Sequence, residues 1–157
     1  MLFIVQIIPN IWWCYSNTLM SNSIDDYSQN DKYMLSKFIE FNNIKQTINI
    51  DKHVNFWNHS QQFIIDIKLQ LQKYEYQQLK SFLIKICELI KQNNLNNKKT
   101  LIITAKHNDI GLVIWIYFFH IYAEIKIDLA ENLLYKKMVW IIPISEYLHK
   151  ILSIITM

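Results

Sequence analysis

A short β-branched run that leads through a polar loop into a long apolar segment constrains the fold of this chain most. Residues 100–120 are TLIITAKHNDIGLVIWIYFFH. The continuous apolar character of TLIIT predicts a central strand buried on both faces. The apolar segment from Ile110 to Ala123 spans roughly 21 Å as a helix, which is short of the ~30 Å hydrocarbon core of a bilayer. We therefore predict no membrane span and a helix, Ile110–Glu124, that is buried on all sides.

Further β-rich runs surround this central segment and predict the other strands of a sheet. LFIVQII and IWWCYS flank Pro9-Asn10, a typical turn sequence. IKQTINI, from Ile44 to Ile50, and FIIDIKL, from Phe63 to Leu69, are the two remaining strand candidates.

Helical periodicity and capping residues predict the helices. One helix is predicted over Asn30–Asn42, and a second over about Tyr76–Gln92. Asp128 and Glu131 are predicted as the N-cap and N3 residues of a later helix. The remaining assignments are an apolar face on the first helix, with Met34, Phe38 and Phe41, and a cap for the last helix at Ser145.

The order of these elements predicts an α/β fold with a central, mostly parallel sheet flanked by helices. Neither an internal repeat nor a linker divides the chain, so we predict one domain over residues 1–157.

Composition narrows the classes of partner and compartment. The formal net charge is only +3, so we predict no nucleic-acid partner. The two cysteines, Cys14 and Cys87, lie far apart, which favours reduced thiols over a disulfide. We predict an intracellular, cytoplasmic protein. With Gly111 as the single glycine, the chain cannot build a glycine-rich nucleotide loop, and we predict no cofactor.

Isolated histidines and aromatic residues allow other sites to be considered. His53 and His59 resemble a metal-ligand pair, but no third ligand follows at a motif spacing, so we predict no metal site. His120 lies in the apolar helix, which favours a hydrogen-bonded core histidine. Cys87 lies beside Ile86 in a predicted helix, and this position favours a role in core packing. Candidates for an exposed aromatic surface are Trp12, Trp13, Tyr15, Trp57 and Trp140.

The junction between the predicted strand and the buried helix has the geometry of an anion site, because backbone N–H groups and the helix dipole converge there. The order of strand, loop, buried helix and two further helices resembles the dual-specificity branch of the cysteine-dependent phosphatases. The signature of that family is His-Cys-x-x-Gly-x-x-Arg-Ser/Thr. The corresponding residues here are Thr104, Ala105, Lys106, His107, Asn108, Asp109, Ile110, Gly111 and Leu112.

The similarity extends along most of the chain. IIPNIWWCYSN resembles the opening I-x-P-x-I/L-Y-L-G-S/N segment of the family, with Trp-Trp-Cys in place of its Tyr-Leu-Gly. NNIKQTINI is similar to its G-I-T-H-V-L-N-L strand, and FIIDIKL to the strand before the general-acid loop. IDLAENLLYKK and MVWIIPISEYLHKIL resemble its last two helical segments.

The resemblance implies a site that has lost its chemistry. Ala105 replaces the nucleophilic Cys and Gly111 replaces the phosphate-binding Arg, in a chain that contains no arginine. The general-acid position falls near Leu71 or Gln72, where no Asp is present, and Glu75 is the nearest carboxylate. We therefore predict a catalytically inactive member without catalytic residues.

Such an inactive member implies a function in binding. We predict a scaffold or competitor whose partner is a protein, a second copy of the chain included. Two alternatives stay open: a phosphate-dependent binder of phosphorylated proteins, and an enzyme with a rebuilt site that uses His107 and Asp109.

Overall fold

The computed structural model describes residues 2–16, 28–50, 60–62, 73–105, 108–138, 141 and 143–157. By their internal contacts, the residues form two compact units. The first unit comprises Met1–Ile65 and Ile90–Asn108, and the second comprises Asp66–Leu89 and Asp109–Met157. The predicted strand at Phe63–Leu69 lies outside the described residues, as do His53, His59, Trp57 and Trp140.

Among its described residues, the first unit contains a five-stranded sheet of order β1-β2-β5-β3-β4. β1 and β2 are antiparallel, whereas the β2–β5, β5–β3 and β3–β4 pairs are parallel. The predicted mostly parallel sheet is therefore confirmed, with β5 at its centre. The strand bounds are β1 Leu2–Ile8, β2 Ile11–Ser16, β3 Gln46–Asn49, β4 Ser60–Gln62 and β5 Thr100–Ile103.

Two sequence features explain this arrangement. Every residue of β5 is buried, as expected of a strand that is hydrogen-bonded on both sides. In register, Ile102 of β5 lies between Trp13 of β2 and Ile48 of β3. The predicted turn between β1 and β2 is also confirmed. Asn10 occupies it with φ of 68°, a left-handed conformation that asparagine tolerates well.

Helix α1 (Gln29–Phe41) covers part of this sheet. It begins at Ser28, whose Oγ accepts a hydrogen bond from the Asp31 N–H across 3.0 Å. Its buried residue is Leu35, in a cluster of Leu2, Cys14, Leu101, Ile103 and Ala105. Met34 and Phe38 pack against this cluster. Phe41, predicted on the same face, is 91% exposed because it lies in the last turn, beyond the cluster.

The elements described in the second unit are helices. Helix α2 (Lys73–Leu95) is longer than predicted and contributes residues to both units. Helix α3 spans Asn108–Tyr122, and its residues Ile110–Phe118 are buried; the last turn is not, with Ile121 exposed. The prediction of burial on all sides is thus correct only for the first nine residues of the predicted helix.

The two final helices are α4 (Ile127–Lys137) and α5 (Glu146–Ile155). The predicted Ser145 cap is confirmed, since its Oγ accepts from the Leu148 N–H. The predicted Asp128 N-cap is wrong. α4 begins at Ile127, two residues earlier than an Asp128 cap would place it. Lys126 occupies the cap position without a side-chain hydrogen bond, and Asp128 lies in the first turn. No helix in the described part of the chain combines the length and hydropathy needed to cross a membrane.

Candidate functional site

The carboxyl ends of three parallel strands meet beside Thr104. β5 pairs with β2 on one side and β3 on the other. The ladder continues past the strand end, because the Thr104 N–H donates to the Cys14 carbonyl across 3.1 Å and the Ile50 N–H donates to the Ile103 carbonyl across 3.1 Å. In open α/β sheets this edge, at the carboxyl ends of the strands, is where ligands bind.

Thr104, at the position of the signature His, is bound into the protein interior. Its Oγ1 accepts a hydrogen bond of 2.7 Å from the indole Nε1 of Trp13, and both side chains are fully buried. Trp13 and Tyr15 are buried, so the prediction that they form an exposed aromatic surface is wrong. Trp12 is half-buried and stacks edge-on against Phe38. These aromatic side chains stabilise the sheet.

Ala105, at the position of the signature Cys, is also an interior residue. It is 2% exposed and belongs to the apolar cluster that contains Leu35, Cys14 and Ile103. A thiol in such surroundings would have a raised pKa, because burial in apolar surroundings disfavours the thiolate. A nucleophile that attacks phosphate needs the opposite environment, one exposed to substrate and electropositive.

The middle of the loop lies partly outside the described residues. This holds for Lys106, His107 and the side chain of Asn108. The general-acid candidates Leu71 and Gln72 also lie outside them, so the predicted absence of a general acid stays a prediction. Glu75 lies in the first turn of α2.

The start of α3 shows how two signature positions are used. Asp109 lies in the first turn, and its Oδ1 accepts a hydrogen bond of 2.9 Å from the Ile110 N–H. That N–H group is one of the few at a helix N-terminus available to an anion. Gly111, at the position of the signature Arg, is buried within the helix, as is Leu112. The Asp109 carboxylate thus already accepts from the Ile110 N–H, a donor that a bound anion would need.

A second group of polar side chains lies in the helical unit and was not predicted as a site. Nε2 of His149 on α5 is 2.9 Å from Oδ1 of Asp128 and 3.3 Å from Oε2 of Glu131, both on α4. The sequence contained half of the signal, since Asp128 and Glu131 share a helix face. His149 joins them only through the packing of α5, which no local pattern encodes.

The neighbouring tyrosine fixes one of these carboxylates. The Tyr135 hydroxyl donates to Oε1 of Glu131 across 2.5 Å and accepts from the Ile144 N–H across 3.0 Å. Burial, followed by the hydrogen bond to Glu131, raises the pKa of Tyr135. Tyr135 therefore stays protonated at neutral pH and remains a donor to Glu131.

The other predicted polar residues have structural roles. Nδ1 of His120 is 2.8 Å from the Ile125 carbonyl oxygen, so the prediction of a hydrogen-bonded histidine is confirmed, although the ring is half-buried. Cys87 is fully buried, and its Sγ donates to the Ile114 carbonyl across 3.6 Å. Both cysteines are free thiols, as predicted.

Comparison with known proteins identifies the fold. No protein-family model matches the sequence, and no curated protein matches it significantly. Among solved structures, the chain is similar to a leucine-rich repeat and phosphatase domain containing protein from Entamoeba histolytica. The similarity has a TM-score of 0.63 at 17% identity and covers 98% of this chain and 90% of the other. The chain thus has an α/β fold similar to that of a phosphatase-domain protein.

Proposed function

We propose that this chain is a catalytically inactive protein of the dual-specificity phosphatase type that acts as a protein-binding scaffold or as a competitor of active phosphatases. The observation that carries this proposal is the burial of Ala105 in the apolar cluster beneath the end of β5. The fold similarity to a phosphatase-domain protein supports the family, and the residues after β5 support the loss of activity.

The chemistry of phosphoryl transfer explains why these residues matter. In the phosphatases that the sequence resembles, a thiolate attacks phosphorus and an Arg fork holds two phosphate oxygens. Ala105 has no nucleophilic atom, and a chain without arginine cannot supply the fork from another position. Loss of a nucleophile alone can lower kcat by about 10⁶, and loss of an arginine that stabilises phosphoryl transfer by about 10³–10⁵.

The two alternative functions have less support. The Asp109 carboxylate occupies the Ile110 N–H and adds a negative charge at the start of α3, which disfavours binding of a phosphorylated protein. A rebuilt enzyme would need Asp109 as a base or acid close to His107. Asp109 is exposed and hydrogen-bonded to the backbone.

A turnover assay tests the loss of activity. We expect no hydrolysis of p-nitrophenyl phosphate or of a phosphotyrosine peptide above the rate with an unrelated protein. Ala105→Cys should remain inactive because the anion fork is still missing, and Ala105→Ser serves as the matched control without a thiol. Saturable hydrolysis by the unmodified chain that is abolished by His107→Ala would contradict the proposal and favour a rebuilt site.

A binding assay tests the scaffold or competitor role. The tagged chain is used to capture partners from extract of its native cell, with half of the extract first dephosphorylated. We expect the same partner in both halves, identified by mass spectrometry, and competition by the pure chain with an active phosphatase for that partner. Capture that is lost after dephosphorylation would instead favour the phosphate-dependent binder.

A further inference from the structure

We propose that Asp128, Glu131 and His149 bind a divalent transition-metal cation, for which zinc has the best-matched chemistry. We call these three residues the α4–α5 triad. The site lies wholly within the helical unit. Its donors are two carboxylate oxygens and one imidazole nitrogen, so it is a mixed oxygen and nitrogen site.

The donor atoms already lie at distances that suit one ion. The three ligand atoms are all within 4.8 Å of one another, and Nε2 of His149 is 2.9 Å from Asp128 and 3.3 Å from Glu131. A tetrahedral zinc site with bonds of about 2.0–2.2 Å has ligand atoms about 3.3–3.6 Å apart. Small side-chain rotations are therefore enough to admit the ion.

The residues around the triad hold Glu131 in place and leave Asp128 open to solvent. Because the Tyr135 hydroxyl binds Oε1 of Glu131, it orients the other oxygen, Oε2, towards His149. Hydrogen bonds of this kind from a second shell are typical of ligating carboxylates. The exposed fractions of the side chains are 15% for Glu131, 34% for His149 and 83% for Asp128. Solvent thus reaches the Asp128 side, where water would complete the coordination.

Charge also favours a cation at this position. Two carboxylates face a single imidazole nitrogen, and one N–H can donate well to only one of them. Within the described residues, no lysine lies within ion-pair distance of either carboxylate. A divalent ion neutralises both carboxylates and bonds to the nitrogen at the same time.

The ligand set distinguishes between metals. Magnesium and calcium prefer six or more oxygen ligands, and magnesium keeps several waters. An imidazole nitrogen combined with carboxylates suits zinc, cobalt or copper, and a set of three protein ligands with one open position is the usual form of a zinc site that retains water. A bound ion would join the first turn of α4 to α5.

Metal titration of the full chain tests the proposal directly. After treatment with a chelator and desalting, Co²⁺ is added as a spectroscopic probe and Zn²⁺ is followed by calorimetry. We expect one equivalent of Zn²⁺ to bind, visible absorption bands of four- or five-coordinate Co²⁺ that Zn²⁺ removes, and a higher Tm with Zn²⁺.

Matched variants locate the ion. His149→Gln and Asp128→Asn should each weaken Zn²⁺ binding by at least about tenfold, since even changes outside the ligand shell weaken metal binding about 10–100-fold. His120→Gln removes an imidazole elsewhere in the same unit and should bind like the original chain. A double variant, His53→Gln with His59→Gln, tests the other histidine pair in the sequence.

Three outcomes of these titrations would overturn the proposal. Absence of Co²⁺ bands in the unmodified chain, or binding that survives His149→Gln but is lost in the His53/His59 double variant, would overturn the proposal. If His149→Gln does not fold by circular dichroism, Glu131→Gln replaces it, because this change keeps an acceptor for Tyr135. Unchanged Zn²⁺ affinity in a folded Glu131→Gln variant would equally overturn the proposal.

Discussion

The indole Nε1 of Trp13 donates a 2.7 Å hydrogen bond to Oγ1 of Thr104, and both side chains are fully buried. The bond joins β2 to the residue that follows β5, at the point where a phosphatase of the type this sequence resembles would begin its anion loop. A buried polar pair is stabilising only while both partners are present. The pair therefore explains why a hydroxyl and an indole occur in an otherwise apolar region.

The first prediction is that Thr104→Val destabilises the protein. Valine has a similar shape but leaves the indole N–H without an acceptor, which costs about 1–3 kcal/mol of the free energy of unfolding. Urea unfolding measures the change, and Ser153→Ala, which removes an exposed hydroxyl, should stay within about 0.5 kcal/mol. Combining Thr104→Val with Trp13→Phe should give a coupling of roughly 0.5–1.5 kcal/mol. Additive effects of the two changes would contradict this role for the bond.

The second prediction concerns Asn93, which is 4% exposed near the start of β5. Its Nδ2 donates to Oε1 of Gln46 across 2.6 Å and to Oγ1 of Thr100 across 3.0 Å, and so connects α2 to β3 and β5. Asn93→Ala removes both of these buried hydrogen bonds and should cost about 1–3 kcal/mol in the free energy of unfolding. Asn96→Ala, at an exposed position, is the matched control. Equal unfolding midpoints in urea for the two variants would contradict the prediction.

The central segment was predictable because its pattern is local. A continuous run of β-branched residues places apolar side chains on both faces of a strand, so both faces must be buried. β5 is such a strand, at the centre of the sheet. A fully apolar helix must likewise be covered, and α3 is buried from Ile110 to Phe118. In both elements the residue types alone determine the environment.

The errors arise where tertiary packing competes with local preference. Asp128 has the residue type and spacing of an N-cap, yet its carboxylate pairs with His149, 21 positions away on another helix. Trp13 and Tyr15 are aromatic residues with polar atoms, which suit both a surface and a core. Trp13 lies in the core, where its indole N–H donates to Thr104, 91 positions away. Partners so distant in sequence leave no local signal.

The third prediction concerns pH and Cys87. Burial raises the pKa of its thiol above the ordinary value of 9.0. The thiol stays protonated in the folded protein while the unfolded chain releases the proton, so stability is complete below pH 9 and falls as the pH rises further. Between pH 9 and 10, the free energy of unfolding should fall by up to about 1.4 kcal/mol per pH unit from this group.

Urea unfolding at pH 7, 8, 9 and 10 measures this slope as a difference between variants. Cys87→Ala should reduce the slope above pH 9, because the titrating group is gone. Leu83→Ala, another truncation of a buried α2 side chain, should lower stability at every pH without changing the slope. An unchanged slope in Cys87→Ala would contradict the prediction.

The last prediction is that the start of α3 does not bind phosphate at millimolar concentration. Binding at 1 mM requires about 4 kcal/mol. The dipole of a helix N-terminus contributes only about 0.3–1 kcal/mol at an exposed site. Asp109 occupies the Ile110 N–H and adds a negative charge, and Gly111 provides no side chain to hold the anion. Lys106 can offset one charge but lacks the fork geometry of arginine.

Titration with phosphate and with a phosphotyrosine peptide, followed through the amide NMR shifts of residues 108–112, measures this binding. We expect no saturable shift in the unmodified chain. Asp109→Asn removes the repelling charge while keeping an acceptor for the Ile110 N–H, and it should also fail to bind because the missing arginine fork is the larger loss. Saturable shifts with sub-millimolar affinity in the unmodified chain would contradict the prediction and favour the phosphate-dependent binder. Binding that appears only in Asp109→Asn would instead identify that carboxylate as the group that closes the site to anions.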